Sequence, residues 1–276
     1  MKTITVLVML LTPALVGAEF DERNKLGELY MSQGRFALAG EQFRKSLAAA
    51  EIAFGPASSQ VAVRLSNLAQ VAAHTRRFTE AERLYRQSIA ITRKTHGPNH
   101  PHLAAVLNNL AQLMVQRKKY GAAEQLFRQS LQIWEASVGT AHPDYASGLS
   151  NLATMHHVRR QYARAEALYR RCLAIDEATL GPWHPAVARD LNNLGTTAFE
   201  TRRYADAEPL YLRALRIREA SLDGNHPDLH DSLNNLAALY FRMGRPAEGQ
   251  MAATKAMTIH VKNTLRDGHM LASKLQ

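Results

Sequence analysis

Residues 185–226 read PAVARDLNNLGTTAFETRRYADAEPLYLRALRIREASLDGNH, and this stretch decides the fold. From Pro185, the apolar residues Val187, Leu191, Leu194, Ala198 and Phe199 recur at helical spacing. From Tyr204, Ala207, Leu210, Tyr211, Ala214, Leu215 and Ile217 do the same. Thr201-Arg202-Arg203 separates the two patterns. Its basic residues suit the C-terminal end of the first helix, and Asp206 and Glu208 suit the start of the second. Asp223-Gly224 closes the second pattern, because Gly accepts positive φ. Pro227 then opens the next helix, where a missing N–H costs nothing. No strand pattern competes.

The same 42 residues recur outward in both directions. Leu68, Leu110, Leu152, Leu194 and Leu236 step by 42, as do Phe78, Tyr120, Tyr162 and Tyr204. His100, His142, His184 and His226 do too, each followed by Pro. One step earlier lie Leu26, Phe36, Ala39 and Phe43, so a sixth, degenerate unit precedes the first clear one. Small residues share registers: Gly27, Ala69, Ala111, Ala153, Gly195 and Ala237 in the first helix, and Ala39 to Gly249 in the second. Helices approach closely where side chains are small. Phe43, Tyr85, Phe127, Tyr169 and Tyr211 fill the adjoining register, and Ser46, Ser88, Ser130, Cys172, Ala214 and Ala256 another. The lone Cys172 therefore reads as a small core residue. The fold class is all-α: a right-handed α-solenoid of about six stacked helix-turn-helix units near 19–58, 59–100, 101–142, 143–184, 185–226 and 227–262. Residues 263–276 read as a short further helix or a tail.

The ends and the composition narrow the setting. Residues 1–18, MKTITVLVMLLTPALVGA, carry Lys2, an apolar run and a small-residue site before Glu19, the pattern of a secretory signal peptide. No later segment is apolar for long enough to span a bilayer. An exported chain, periplasmic or secreted, follows. One cysteine excludes an internal disulfide framework. A hydrophobic fraction of 46% excludes wholesale disorder, and a formal charge of +10 permits anionic partners without naming one.

The recurring Leu-x-x-Leu-Gly/Ala, then Ala, aromatic and small residue (Leu191, Leu194, Gly195, Ala207, Tyr211, Ala214) resembles the tetratricopeptide pattern. The 42-residue period, the Asn-Asn-Leu triplets and the His-Pro linkers look most like the kinesin light chain subclass, whose unit bacteria also use widely. The resemblance spans residues 20–262 and implies no motor, since a signal peptide argues against a cytosolic adaptor. It implies that first helices line a concave, ligand-binding groove. Asn67, Asn109, Asn151, Asn193 and Asn235 would then face a ligand, beside Asn108, Asn192 and Asn234. Arg189, Phe199, Glu200, Asp231, Phe241 and Arg242 would border the groove. The Lys/Arg clamp for a peptide C-terminus is not evident. Asn offers a donor and an acceptor, so a ladder can bond the main chain of an extended peptide without reading its sequence. The other reading ties each Asn to a neighbouring helix or linker.

Other features carry less. The four linker histidines precede Pro-initiated helices and suit helix capping. Helix packing sets equivalent atoms ~10 Å apart, too far to share one metal. No catalytic motif is present, paired acids such as Asp176-Glu177 read as ordinary helix surface, and neither cofactor nor metal is expected. Arg35, Arg77, Lys119, Arg203 and Arg245 share a turn register, preceded by Arg76, Lys118, Arg160 and Arg202. This basic edge serves helix dipoles and solubility, or docks to an anionic envelope surface or polymer. Without interleaved aromatics it does not favour nucleic acid. The expected function is a non-enzymatic scaffold for a peptide or protein, with electrostatic docking as the alternative.

Overall fold

The computed structural model describes the backbone of residues 13–272 and the side chains of 21–263. Twelve α-helices and no strand occur among the described residues. The first helices are α1 (Pro13–Ser32), α3 (Ser59–His74), α5 (Pro101–Gln116), α7 (Pro143–Val158), α9 (Pro185–Glu200) and α11 (Pro227–Arg242). The second helices are α2 (Phe36–Phe54), α4 (Phe78–His96), α6 (Tyr120–Ser137), α8 (Tyr162–Leu180), α10 (Tyr204–Ser221) and α12 (Pro246–Ala272). Helices α1–α6 lie in one compact unit and α7–α12 in another. Within each unit, every helix packs on its neighbours in the chain. Most of residues 1–18 lies outside the described residues, although α1 already begins at Pro13. At the other end, α12 runs on to Ala272 without a break near 262.

The linker histidines cap the helices that follow them. Nδ1 of His100, His142, His184 and His226 accepts from the backbone N–H two residues on, at 3.2 Å in each case. Ser58 replaces them before α3, its Oγ accepting from the Val61 N–H. Each cap satisfies one of the donors that a helix start leaves unpaired. The first helices end in a repeated backbone lock: the Arg77 N–H donates to Ala72 O and the Arg76 N–H to Ala73 O. That geometry needs a left-handed residue. Gly34 and Gly244 supply it at the chain's two ends, but Arg76, Lys118, Arg160 and Arg202 occupy it between, with φ of 57–61°. The left-handed conformation costs an L-residue about 1–2 kcal/mol, and a glycine's extra entropy in the unfolded chain takes back about 0.5–1 kcal/mol. Arg76→Gly, Lys118→Gly, Arg160→Gly and Arg202→Gly are therefore each expected to gain up to about 1 kcal/mol in urea denaturation. A loss at all four would show that their side chains outweigh the backbone strain.

Packing follows the registers. Phe43, Tyr85 and Phe127 in the first unit, and Tyr169 and Tyr211 in the second, are buried against the alanine and glycine positions. A Cβ at Gly195 would lie 2.7 Å from the Tyr211 ring, so contact there is backbone to ring. The Ser/Cys register does more than fill space. Ser88 Oγ and Ser130 Oγ each donate to a first-helix carbonyl, Ala62 O and Ala104 O, at 2.7 Å. Cys172 Sγ makes the equivalent contact to Ala146 O at 3.2 Å. Burial pushes the Cys172 thiol far up, which keeps it protonated and unreactive.

Candidate functional site

One stripe of each first helix stays at least partly open to solvent. In the first unit it runs Val63, Asn67, Gln70, His74 on α3 and Ala105, Asn109, Gln112, Gln116 on α5. In the second it includes Asn151 and Thr154 on α7, Asn193 and Thr196 on α9, and Asn235 and Ala238 on α11. The spacing i, i+4, i+7, i+11 keeps the stripe on one helix face. Helix α3 touches α5 directly, and α9 touches α11, so the stripes of neighbouring first helices adjoin. In the first unit these positions carry no Asp, Glu, Lys or Arg and are rich in amides.

The asparagines divide into two kinds. Asn67 Nδ2 donates to Asn24 Oδ1 at 2.9 Å, and Asn235 Nδ2 donates to Asn192 Oδ1 at 2.9 Å. Both bonds tie one repeat to the one before it. Where the preceding repeat carries Ser66 or Ser150 instead, the bond is not made. The side chains of Asn109 and Asn193 have no hydrogen-bond partner among the described residues. Asn108 is buried and Asn192 is held as the acceptor just described, whereas Asn234 is exposed and contacts the His230 ring. The sequence alone showed one ladder; the alternation appears only when residue i of one repeat is set beside residue i+43 of the next.

In the second unit the basic turn register forms ion pairs between repeats. Arg203 forks onto Glu166 at 3.0 and 2.7 Å, and Arg245 onto Glu208 at 2.8 Å, each carboxylate belonging to the second helix of the preceding repeat. The Arg203 bonds hold Glu166 below the usual carboxylate range and raise Arg203, while Arg245 is raised first by its bond to Glu248 and then by Glu208. In the first unit Arg117 takes the Glu82 carboxylate in place of Lys119. Arg77 pairs with Glu80 at 2.9 Å, and Arg35 lies over the Tyr30 ring at 4.8 Å. Lys119 and the preceding Arg76, Lys118, Arg160 and Arg202 are exposed.

Asp176 corrects the surface reading given to it above: it is 1% exposed and sits with Asp190, 0% exposed, where α8 meets α9. Arg189 bridges them, Nη2 lying 3.2 Å from Asp176 Oδ2 and 3.2 Å from Asp190 Oδ1. Arg189 is therefore spent on this pair rather than on the stripe. Asp176 Oδ1 and Asp190 Oδ2 receive no hydrogen bond from a neighbouring donor. Burial raises both carboxyls, Asp190 to about 7, against the pull of Arg189. Register held the missing signal: Asp176 aligns with buried Ala50, Thr92 and Trp134, and Asp190 with buried Arg64, Val106 and Ser232. Among the described residues no group of three or more His, Cys, Asp or Glu side chains is placed to hold a metal ion, and no helix is long and apolar enough to cross a membrane.

Comparison with known proteins agrees with this geometry. The tetratricopeptide repeat family model matches residues 22–93, 61–136, 144–220 and 191–262, and the chain belongs to that family. No curated protein matches the chain. Among solved structures it is similar to BtubC (BKLC) from P. vanneervenii, with 21% identity, a TM-score of 0.67, and 91% of each chain covered. It is also similar to a kinesin light chain protein of Podospora anserina with nearly identical repeats, with 20% identity, a TM-score of 0.58, and 77% of this chain and 99% of that one covered. A Rap protein complexed with Competence and Sporulation Factor matches at 15% identity with a TM-score of 0.68, covering 91% of this chain and 76% of that one. At these identities the likeness is one of fold. Tetratricopeptide proteins are in general interaction scaffolds with protein partners.

Proposed function

We propose that the chain is a non-enzymatic scaffold, exported by means of residues 1–18, in which the first helices of each unit hold an extended peptide or protein segment along their stripe. The observation that carries this reading is the pair of unspent amides, Asn109 and Asn193, flanked by Gln112 and Thr196. A mid-helix Asn is intrinsically unfavourable, so one that ties nothing together calls for a function. Amides offer both a donor and an acceptor to a peptide main chain. The complex of the Rap protein with its factor shows that a fold of this kind can carry a bound partner.

Peptides selected by display against the full chain provide the probe. Asn109→Ala and Asn193→Ala are each expected to weaken their binding by a few-fold to about tenfold, the equivalent of ~0.5–1.5 kcal/mol per net hydrogen bond. Stability should hold or rise slightly. Asn67→Ala and Asn235→Ala should instead lower the melting temperature, because each strands a partner between repeats. Unchanged affinity in Asn109→Ala and Asn193→Ala would sink the reading. Binding that collapses with salt would point instead to electrostatic docking.

A further inference from the structure

The two terminal helices each leave apolar positions open, and those of α1 are covered in every internal repeat. The position of Leu29 in α1 recurs as Val71, Leu113, Met155, Thr197 and Leu239, all at most 1% exposed, yet Leu29 itself is 51% exposed. The position of Leu26 recurs as Leu68, Leu110, Leu152, Leu194 and Leu236, none above 9%, whereas Leu26 is 37% exposed. Inside the second unit the covering side chains come from the preceding second helix: Leu173 of α8 packs on the cluster holding Leu194, and Leu215 of α10 on that holding Leu236. The next member of that covering register is Met257 of α12, 60% exposed; Val261, 46% exposed one turn on, continues the apolar strip where internal repeats carry Glu51, Arg93, Glu135, Glu177 and Glu219. Together with Ala253 and Thr254 they line an open apolar groove on α12.

We propose that these faces are the two halves of one contact, and that the groove on α12 takes α1 of a second copy of this chain. The register that joins α8 to α9 sets Leu26 of the incoming copy on Met257. Val71 packs on Gly40 of the preceding second helix, so the same register brings Leu29 beside Gln250. Polar neighbours agree. The inter-repeat bond runs from Asn67 to Asn24 and from Asn235 to Asn192; one step further it sets Lys25 of the second copy, a donor, on the exposed Asn234. Running the helices antiparallel brings exposed Glu22 to the end of the groove that carries Lys262. All of the α1 residues used lie after the expected cleavage point. Because head and tail are different surfaces, the contact is heterologous and each copy keeps a free end.

The test uses the purified full chain in sedimentation velocity. The wild-type weight-average mass should rise with concentration beyond that of a dimer. Leu26→Glu/Leu29→Glu, blocking the head, and Met257→Glu, blocking the tail, should each be monomeric. All three positions are exposed, and circular dichroism checks that both variants remain helical. Mixing the two should give one-to-one heterodimers and nothing larger, since only one free head and one free tail remain. A monomeric wild type, self-association of either blocked variant, or a mixture that stays monomeric would each overturn the proposal. Association of the head-blocked variant alone would show tail-to-tail pairing instead.

Discussion

Urea denaturation of the full chain should show stability falling as pH rises from about 4 to 7, with the loss confined to the unit that holds Asp176 and Asp190. The cause is the buried carboxyl pair. Asp190 titrates near 7 when folded, above the ordinary value of an unfolded aspartate, so the folded chain holds that proton more tightly. The sign follows: the stabilisation is full below the unfolded pKa and is lost as pH climbs through the folded one. A shift of about three units sets a ceiling of about 4 kcal/mol, and the sharing of a proton with Asp176 makes about 2–4 kcal/mol the expected range. The groups around the pair are Arg189 on α9, Tyr169 and Cys172 on α8, and His184 in the linker. Arg189 opposes the shift without removing it. The Arg-bound Glu166 works the other way, adding stability above the unfolded carboxylate range that is lost only on strong acidification. Asp190→Asn should flatten the fall and leave the variant more stable than wild type at pH 8, with the difference shrinking steadily on acidification and vanishing only below about pH 4. Wild-type stability that is level or rising between pH 5 and 8 would refute the account.

How much of this was legible in the sequence depends on the scale of the interaction. The helix starts at Phe78, Tyr120, Tyr162 and Tyr204 fall on the 42-residue steps, because local rules of capping, proline and glycine set them. The histidine caps were legible for the same reason: capping needs a side chain next to the Pro. The division of the asparagines was not, because Asn67 and Asn109 look alike until the residue 43 positions earlier, Asn24 or Ser66, is brought alongside. The partners of the basic turns were hidden in the same way. Arg203 and Arg245 read as serving helix dipoles or an anionic surface, and the carboxylates they pair with, Glu166 and Glu208, lie 37 residues earlier on another helix. Asp176 misled because acids are usually exposed, and only its alignment with Trp134 and Thr92 betrays burial. Periodicity thus fixes helices and faces, while contacts between repeats depend on pairs of residues that a single repeat does not display.

Those contacts also decide how damage spreads, and Tyr211→Ala tests this. Tyr211 is buried in a cluster with Ala207, Leu236, Ala237 and Leu239, and its hydroxyl donates to Thr196 Oγ1 at 3.1 Å. Removing the ring leaves a cavity that the close backbone at Gly195 cannot fill, and such truncations cost about 3–5 kcal/mol. In a repeat protein, stability is a sum of unit and neighbour terms, so a loss of this size need not be shared by the whole chain. Hydrogen exchange should lose protection across α9 to α12, while α1 to α4 retain theirs. Tyr211→Phe, which keeps the ring and gives up only the hydrogen bond, should cost about 0.5–1.5 kcal/mol and leave protection in α9 nearly intact. Phe127→Ala, at the equivalent register in the other unit, should reverse the pattern, exposing α5 and α6 while α9 to α12 stay protected. Equal loss of protection from α1 to α12 in either alanine variant would mean that the chain unfolds as a single cooperative body. The neighbour terms would then exceed the cost of an emptied aromatic site.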